Sequence, residues 1–314
     1  MTDVEQELRQ AEKAQGQPIA AALGVFDGVH LGHRQVIAHA VLHGVCHVVT
    51  FAAESMPQKQ GRPVQYIYRD EQKRRLLSAC GADAVFALPF GEMQTMEGEA
   101  FCKKILRERL SVDTVVVGTD FRFGRKAACG TEDLVRFGRR YGFAVDIVPQ
   151  VKDAGGVPVS SSEIRFLLES GEIRKANALL GADYQILAHV QTGQHLGSTV
   201  LGIPTANQHF AAWQCVPRRG VYASFAEIND EWIPAITNIG VRPTVTGGAA
   251  EPVAETHLID WTGELVGKLL PVTLCKFLRP EQPFASLDAL GLQIRRDIKA
   301  RMKLLPQEEI LSQD

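Results

Sequence analysis

The strongest constraint on the fold of this 314-residue chain is an alternation that runs to about residue 183 and then stops. Residues 18–23 are a short apolar run, residues 32–43 have helical length and close on Gly44, and residues 45–51 are apolar and β-branched. That succession predicts a βαβ unit, which requires parallel strands. Further apolar runs at 84–88, 114–117 and 143–148 predict strands, with helices between them near 69–80, 98–110 and 131–141. Strands and helices alternating at this spacing predict a doubly wound α/β sheet. Two short helices follow. Ser160 and Glu163 have the spacing of a capping box, Gly171 is a stop, and residues 172–180 run on to Gly181.

Beyond residue 183 the predicted strands, at 185–190, 220–228, 232–238, 253–260 and 269–278, are separated by Gly and Pro turns rather than helices. Such spacing predicts an antiparallel β-barrel. Residues 287–303 read as a terminal amphipathic helix. Its core stripe is expected to be Leu287, Leu290, Ile294 and Ile298, with Arg295, Arg296 and Asp297 on a solvated face. The expected domains are 1–183 and 184–314.

Composition narrows the function classes. A formal net charge of -2 provides no field that favours nucleic acid or an anionic membrane. No apolar run approaches the ~18 residues of a membrane span. The polar N-terminus lacks the pattern of a signal peptide, so a cytoplasmic location is expected. The six cysteines form no CxxC pair and read as free thiols, with Cys46 and Cys275 in apolar strand-like runs.

Two strings carry chemistry. The first is Gly24-Val25-Phe26-Asp27-Gly28-Val29-His30-Leu31-Gly32-His33, between the first expected strand and helix. His30 and His33 are three residues apart, so at a helix start both imidazoles can face one spot beyond the strand end. The helix N-terminus adds unpaired N–H groups that favour phosphate, and Gly28 and Gly32 allow close backbone approach. Imidazole donors aimed at a triphosphate stabilise charge on the α-phosphoryl group and the leaving pyrophosphate. A tight turn with two surface histidines is the blander reading.

The second string is Leu201-Gly202-Ile203-Pro204-Thr205-Ala206-Asn207, preceded by Gly193 and Gly197. A glycine-bearing loop wraps phosphates with its N–H groups. Alternation puts Thr205 and Asn207 on one face, and their oxygens suit Mg²⁺. Glu255 and His257 share a face of a later strand, where Glu255 is suited to accept the proton of a primary hydroxyl attacking a γ-phosphoryl group. A solvated Glu on a half-exposed strand is the alternative. Either string alone indicates a nucleotide enzyme; together they indicate two consecutive ATP-dependent reactions.

GxFDGxHxGH resembles the signature of the nucleotidyltransferase superfamily. Gly118-Thr119-Asp120-Phe121-Arg122-Phe123-Gly124 and Val159-Ser160-Ser161-Ser162-Glu163-Ile164-Arg165 resemble two motifs of FMN adenylyltransferases. The strings GxxLGIPTAN, Gly220-Val221-Tyr222-Ala223, Asn238-Ile239-Gly240-Val241-Arg242-Pro243-Thr244, ETHLID and Phe277-Leu278-Arg279 resemble the riboflavin kinase module. From about residue 18 to 303 the chain thus resembles the bacterial-type bifunctional riboflavin kinases/FMN adenylyltransferases.

The resemblance implies that Gly24, Phe26, Asp27, Gly28, His30, Gly32, His33, Asp120, Ser161, Ser162 and Arg165 bind ATP, with His30 and His33 helping to transfer AMP to FMN. It implies that Gly193, Gly197, Gly202 and Pro204 bind nucleotide in the kinase half, that Thr205 and Asn207 hold Mg²⁺, that Glu255 is the general base and that Arg279 lies on the flavin side. The implied cofactor is Mg²⁺ and the substrates are ATP, riboflavin and FMN. Partners are these small molecules rather than nucleic acid or membrane, and a homo-oligomer is compatible with the sequence.

The chain departs from the family pattern at Val25, often Asn, and at Ser162, usually Thr. Phe51-Ala52-Ala53-Glu54-Ser55-Met56-Pro57 stands where Phe-x-Pro-His-Pro is common, and Leu265-Val266-Gly267 stands for Leu-Tyr-Gly. The altered loop motivates a rival reading, a kinase with weakened adenylyl transfer. A second rival is a non-catalytic flavin or nucleotide sensor, against which Glu255 beside Thr205 and Asn207 weighs.

Overall fold

A computed structural model describes residues 16–56, 65–192, 203–242 and 251–304. Gly193, Gly197, Leu201, Gly202, Pro57, Pro243 and Thr244 lie outside the described residues. The chain divides into two compact units, one ending at Ser161 and the other beginning at Ser162.

The first unit is built on a parallel sheet of β1 (Ile19–Leu23), β2 (Val45–Phe51), β3 (Ala84–Leu88), β4 (Thr114–Gly118) and β5 (Ala144–Val148), in the order β3-β2-β1-β4-β5. The crossovers contain α1 (Leu31–His43), α2 (Asp70–Ala79), α3 (Gly98–Ala100, continuing as a π-helix over Phe101–Arg109) and α4 (Thr131–Tyr141). Successive strand residues enter opposite core layers. Ala20, Ala22, Val48 and Val116 pack with Val36, Ile37 and Ala40 of α1. Ala21, Leu23, Val49, Val115 and Val117 pack with Leu106 and Leu134 on the other face. Both faces are covered, so the strands are apolar throughout, as parallel strands are. The order reverses direction between β1 and β4, which opens a crevice at their carboxyl ends.

The second unit holds α5 (Ser161–Ser170, from its second residue) and α6 (Ile173–Leu180), followed by antiparallel strands β6 (Gln185–His189), β7 (Ala206–His209), β8 (Gly220–Ile228), β9 (Glu231–Arg242), β10 (Glu251–Leu258) and β11 (Leu269–Arg279). The strand order is β6-β11-β8-β9-β10-β7, and a bridge between Gln191 and Asn207 brings β7 back to the chain leaving β6. The sheet is therefore a nearly closed barrel, which removes most exposed strand edge. The two helices dock on it. Asn177 Nδ2 donates to Asp183 at 2.6 Å, and the Arg218 N–H donates to the Leu168 carbonyl at 2.9 Å. None of the described helices is long and apolar enough to cross a membrane. All six cysteines are free, and Cys46 and Cys275 are buried.

The terminal helix α7 (Leu287–Met302) corrects the sequence reading. Leu287 is 52% exposed, while the buried positions include Asp297 and Arg301. Arg279 of β11 reaches Asp297 through hydrogen bonds of 3.0, 3.1 and 2.8 Å, and Gln293 Nε2 adds one of 2.9 Å. Arg301 Nε donates to the Ser224 carbonyl at 3.1 Å, and its guanidinium lies 4.2 Å from the Phe225 ring centroid. The barrel supplies partners that offset the desolvation of both charges, and the helical stripe in the sequence contains no sign of those partners. Arg295 and Arg296 are exposed, as expected.

Two stability predictions follow from buried titratable groups. His47 on β2 is buried, with neither ring nitrogen partnered among the described residues, edge-on to Phe86 at 5.1 Å. Burial lowers its pKa from the ordinary 6.5, against the weaker pull of Asp83. Below pH 6.5 the unfolded chain therefore takes up a proton that the folded chain resists, and stability falls. His47→Leu is expected to remove this loss, worth up to about 1.4 kcal/mol per pH unit below 6.5. Denaturant midpoints of parent and variant at pH 7.5 and 5.5 check it: the gap between them must widen at pH 5.5. Asp297→Ala strands a partly buried guanidinium and is expected to destabilise the second unit by about 3 kcal/mol, measured by urea unfolding.

Candidate active sites

The first motif occupies the turn between β1 and α1, at the carboxyl end of the sheet. Its backbone is forced into unusual shapes: Gly28 has φ 84°, and Phe26 and the β-branched Val29 have φ 53° and 45°. Left-handed backbone at non-glycine residues is costly and is retained where the surroundings over-determine it. Here both side chains are buried in the core. Around the turn, the Gly24 N–H donates to Val49 O at 3.2 Å and Thr50 Oγ1 donates to Val25 O at 2.8 Å. Asp27 accepts the Ile67 N–H at 2.8 Å, and Ser161 Oγ donates to Asp27 O at 2.8 Å.

His30 caps α1, with its Nδ1 accepting the His33 N–H at 3.4 Å. That bond puts the proton of a neutral His30 on Nε2, where it is a donor for a phosphate oxygen. The two imidazoles stack at 3.6 Å with 19° between planes, and Phe26 stands edge-on to His33 at 5.2 Å. A Cβ at Gly32 would lie 3.2 Å from the His30 ring, closer than ordinary contact, so glycine lets the stack sit undisturbed. Burial lowers the His30 pKa to about 4, against its backbone hydrogen bond and Asp120. Burial, with the charges of His30 and Lys73, holds His33 well below the ordinary range. Both rings are therefore neutral hydrogen-bond donors rather than cations. Asp120 follows β4 across the crevice and acts electrostatically on His30. On α5, Arg165 donates to Ser162 Oγ at 3.1 Å.

The second site is a cavity of about 660 Å³ in the barrel, within the size range of small-molecule sites. Register builds one wall of it. Asn207 opposes Glu255, Glu255 opposes Asn238, Asn238 opposes Val221 and Val221 opposes Arg279, across β7, β10, β9, β8 and β11. The bridge to Gln191 carries the row onward, and all six residues line the cavity. Directly opposed residues have neighbouring side chains on one face of a sheet. Asn207 Nδ2 donates to Thr205 O at 3.1 Å, which leaves Oδ1 as a buried carbonyl oxygen with no partner among the described residues. Such an orphan acceptor fits a hard divalent cation. Thr205 lines the same wall, and His257 bonds to the carbonyl of Pro204 at 2.9 Å, pinning the turn before it.

The sequence-predicted residues Pro204, Thr205, Asn207, Glu255 and Arg279 thus meet at one cavity. Gly24, Phe26, Asp27, Gly28, His30, Gly32, His33 and Ser161 gather at the β1 turn. Sequence reasoning missed Gln191, Asn238, Glu281 and Asp297, all lining the cavity, and Lys73, Asp70 and Ile67 beside the first motif. Asn238 was findable from strand parity once the register with Glu255 was known. The others depend on packing between distant segments.

Comparisons with known proteins match this division. The sequence pattern of the family described as FAD synthetase matches residues 12–163, and that of riboflavin kinase matches residues 180–305. A bifunctional riboflavin kinase/FMN adenylyltransferase from Pseudomonas fluorescens is 35% identical over 291 residues, 90% of this chain and 92% of that protein. One from Escherichia coli K12 is 35% identical over 283 residues, 88% of this chain and 89% of that protein. A crystal structure described as a macrolide-efflux protein from Streptococcus pneumoniae has a TM-score of 0.79 at 25% identity, covering 94% of this chain and 97% of that one.

The neutral state of the imidazole pair is open to direct test. In NMR titration of the ligand-free protein, the His30 signal is expected to move near pH 4, and that of His33 to move well below pH 6.5. A midpoint near 6.5 for either ring contradicts the burial argument.

Proposed function

Because the chain belongs to the bifunctional riboflavin kinase/FMN adenylyltransferase family, we propose how its own residues divide the two reactions. The chain phosphorylates riboflavin to FMN and adenylylates FMN to FAD with release of pyrophosphate. Both halves match, and no observation favours a kinase-only chain or a non-catalytic sensor. The proposed functional domains are 1–183 for adenylyl transfer and 184–314 for the kinase.

In the kinase half, Glu255 accepts the proton of the ribityl 5′-hydroxyl as that oxygen attacks the γ-phosphoryl group of ATP. Thr205 and Asn207 would hold Mg²⁺, which would neutralise phosphate charge. The orphaned Oδ1 supports this assignment. Arg279 lies on the flavin side, held in one orientation by Asp297. Gly193, Gly197, Gly202 and Pro204 bind the nucleotide. The observation that carries the kinase reading is the register that sets Glu255 directly opposite Asn207 on the cavity wall.

In the transfer half, the nucleophile is a phosphate oxygen of FMN, already an anion, so the step requires no general base. The work is in-line placement and charge stabilisation. The His30 Nε2–H and His33 donate to the triphosphate, and the N-terminus of α1 adds its N–H groups. Asp27, Asp120 and Ser161 shape the nucleotide crevice. On α5, Ser162 and Arg165 are nucleotide-binding residues.

Product analysis tests both assignments in one chain. With riboflavin, ATP and Mg²⁺ the parent forms FMN first and FAD after it. Glu255→Gln is expected to lose FMN formation about 100-fold or more while still making FAD from supplied FMN. His30→Ala is expected to lose FAD formation about 100-fold while still making FMN. Kinase turnover unchanged in Glu255→Gln removes that residue from the role of base.

A further inference from the structure

One buried cation of the first unit has no role in either reaction as described. Lys73 on α2 is 4% exposed, and a lysine is rarely this buried without partners or a task. Its ammonium donates to Phe51 O at 2.6 Å and lies 3.3 Å from the Asp70 carboxylate. Asp70 itself accepts the Ala53 N–H at 3.1 and 3.0 Å. Lys73 and Asp70 together grip residues 51–53, the start of the loop after β2. One residue earlier, Thr50 Oγ1 holds Val25 O of the His30–His33 motif, and just ahead of α2 the Ile67 N–H is held by Asp27 of the same motif. The end of β2, the start of α2 and the motif are thereby tied into one piece, largely by bonds to charged groups, which are stronger than neutral ones. The loop gripped in this way is the one whose sequence departs from the Phe-x-Pro-His-Pro pattern.

We propose that Lys73 is a positioning residue for adenylyl transfer: its ammonium fixes the loop after β2 against α2 and keeps a positive charge within electrostatic reach of the His33 imidazole. The proposal rests on the adenylyl-transfer reading of the first unit. The charged groups acting on His33 are His30 of the same turn and Lys73 of α2; those acting on Lys73 are Asp70, Asp27 and Arg74, and Asp120 acts on His30. A neighbouring cation disfavours the imidazolium form. Without it His33 takes up a proton at higher pH, and the neutral donor pair is lost sooner on acidification.

The test uses the full chain with FMN, ATP and Mg²⁺, following FAD formation from pH 3.5 to 9, so that the acid limb expected near pH 4 falls inside the range. Riboflavin phosphorylation is measured in parallel as the control for folding. Lys73→Met is expected to lower kcat/KM for FAD formation about tenfold or more and to move the acid limb of its pH profile upward, with kinase turnover unchanged. Lys73→Arg keeps the charge and is expected to keep the parental acid limb. Parental activity and profile in Lys73→Met overturn the proposal, as does a loss of rate with no movement of the limb, which assigns Lys73 to scaffolding alone. If Lys73→Met also loses kinase turnover, Lys73→Gln is measured in the same way; kinase loss in both variants makes Lys73 a folding residue and overturns the proposal. A parent that makes no FAD from FMN overturns the adenylyl-transfer reading instead.

Discussion

Backbone pairing in register is the constraint on which both candidate sites depend. An extended strand turns successive side chains to opposite faces, so a shift of one residue between β7 and β10 would send Glu255 away from Asn207. The row from Gln191 to Asn238 follows that parity, and a register shift in β11 between Phe277 and Arg279 brings Arg279 opposite Val221 to complete it. In the first unit register acts differently. Parallel pairing of β1 with β2 and β4 brings their carboxyl ends to one side, where the β1 turn and Asp120 both emerge. Chemistry gathers at strand ends in one unit and along a barrel wall in the other.

Desolvation then sets the character of each site. Burial keeps His30 and His33 neutral, so positive charge at that turn must come from the helix end and from lysine or arginine side chains. In the second unit the buried charges Asp297 and Arg301 have partners. Asp297 and Arg279 form an ion pair with three hydrogen bonds, which holds the guanidinium at the cavity in one orientation and ties α7 to β11. The C-terminal helix is thus part of the cavity wall as well as a cover for the barrel: Leu290, Ile294 and Asp297 all line the cavity.

Much of this was legible in the sequence, and the reasons are local. The strands at 45–51, 84–88 and 220–228 and the helix at 131–141 were read at the observed bounds, because apolar runs, helical spacing and glycine stops act within a few residues. β9 was read too short: Glu231–Arg242 crosses Gly240, whose missing Cβ leaves room for the Glu281 carboxylate. The terminal helix was located correctly but its buried face was misread, since a stripe of leucine and isoleucine outranks Asp297 and Arg301 in any count of apolar spacing.

By itself, then, the sequence determined the kinds of element, their order, the two phosphate motifs and the family, because each is written in residues adjacent along the chain. Tertiary structure alone decided which polar groups lose water and what they meet when they do. Lys73 finds its acceptor 22 residues away at Phe51, Arg279 finds Asp297 18 residues on, and Asn207 meets Glu255 only across a strand pair. The neutral His30–His33 stack and the orphaned Oδ1 of Asn207 arise in the same way. Burial and partnership depend on distances in space, and local sequence periodicity carries no information about contacts between segments that far apart.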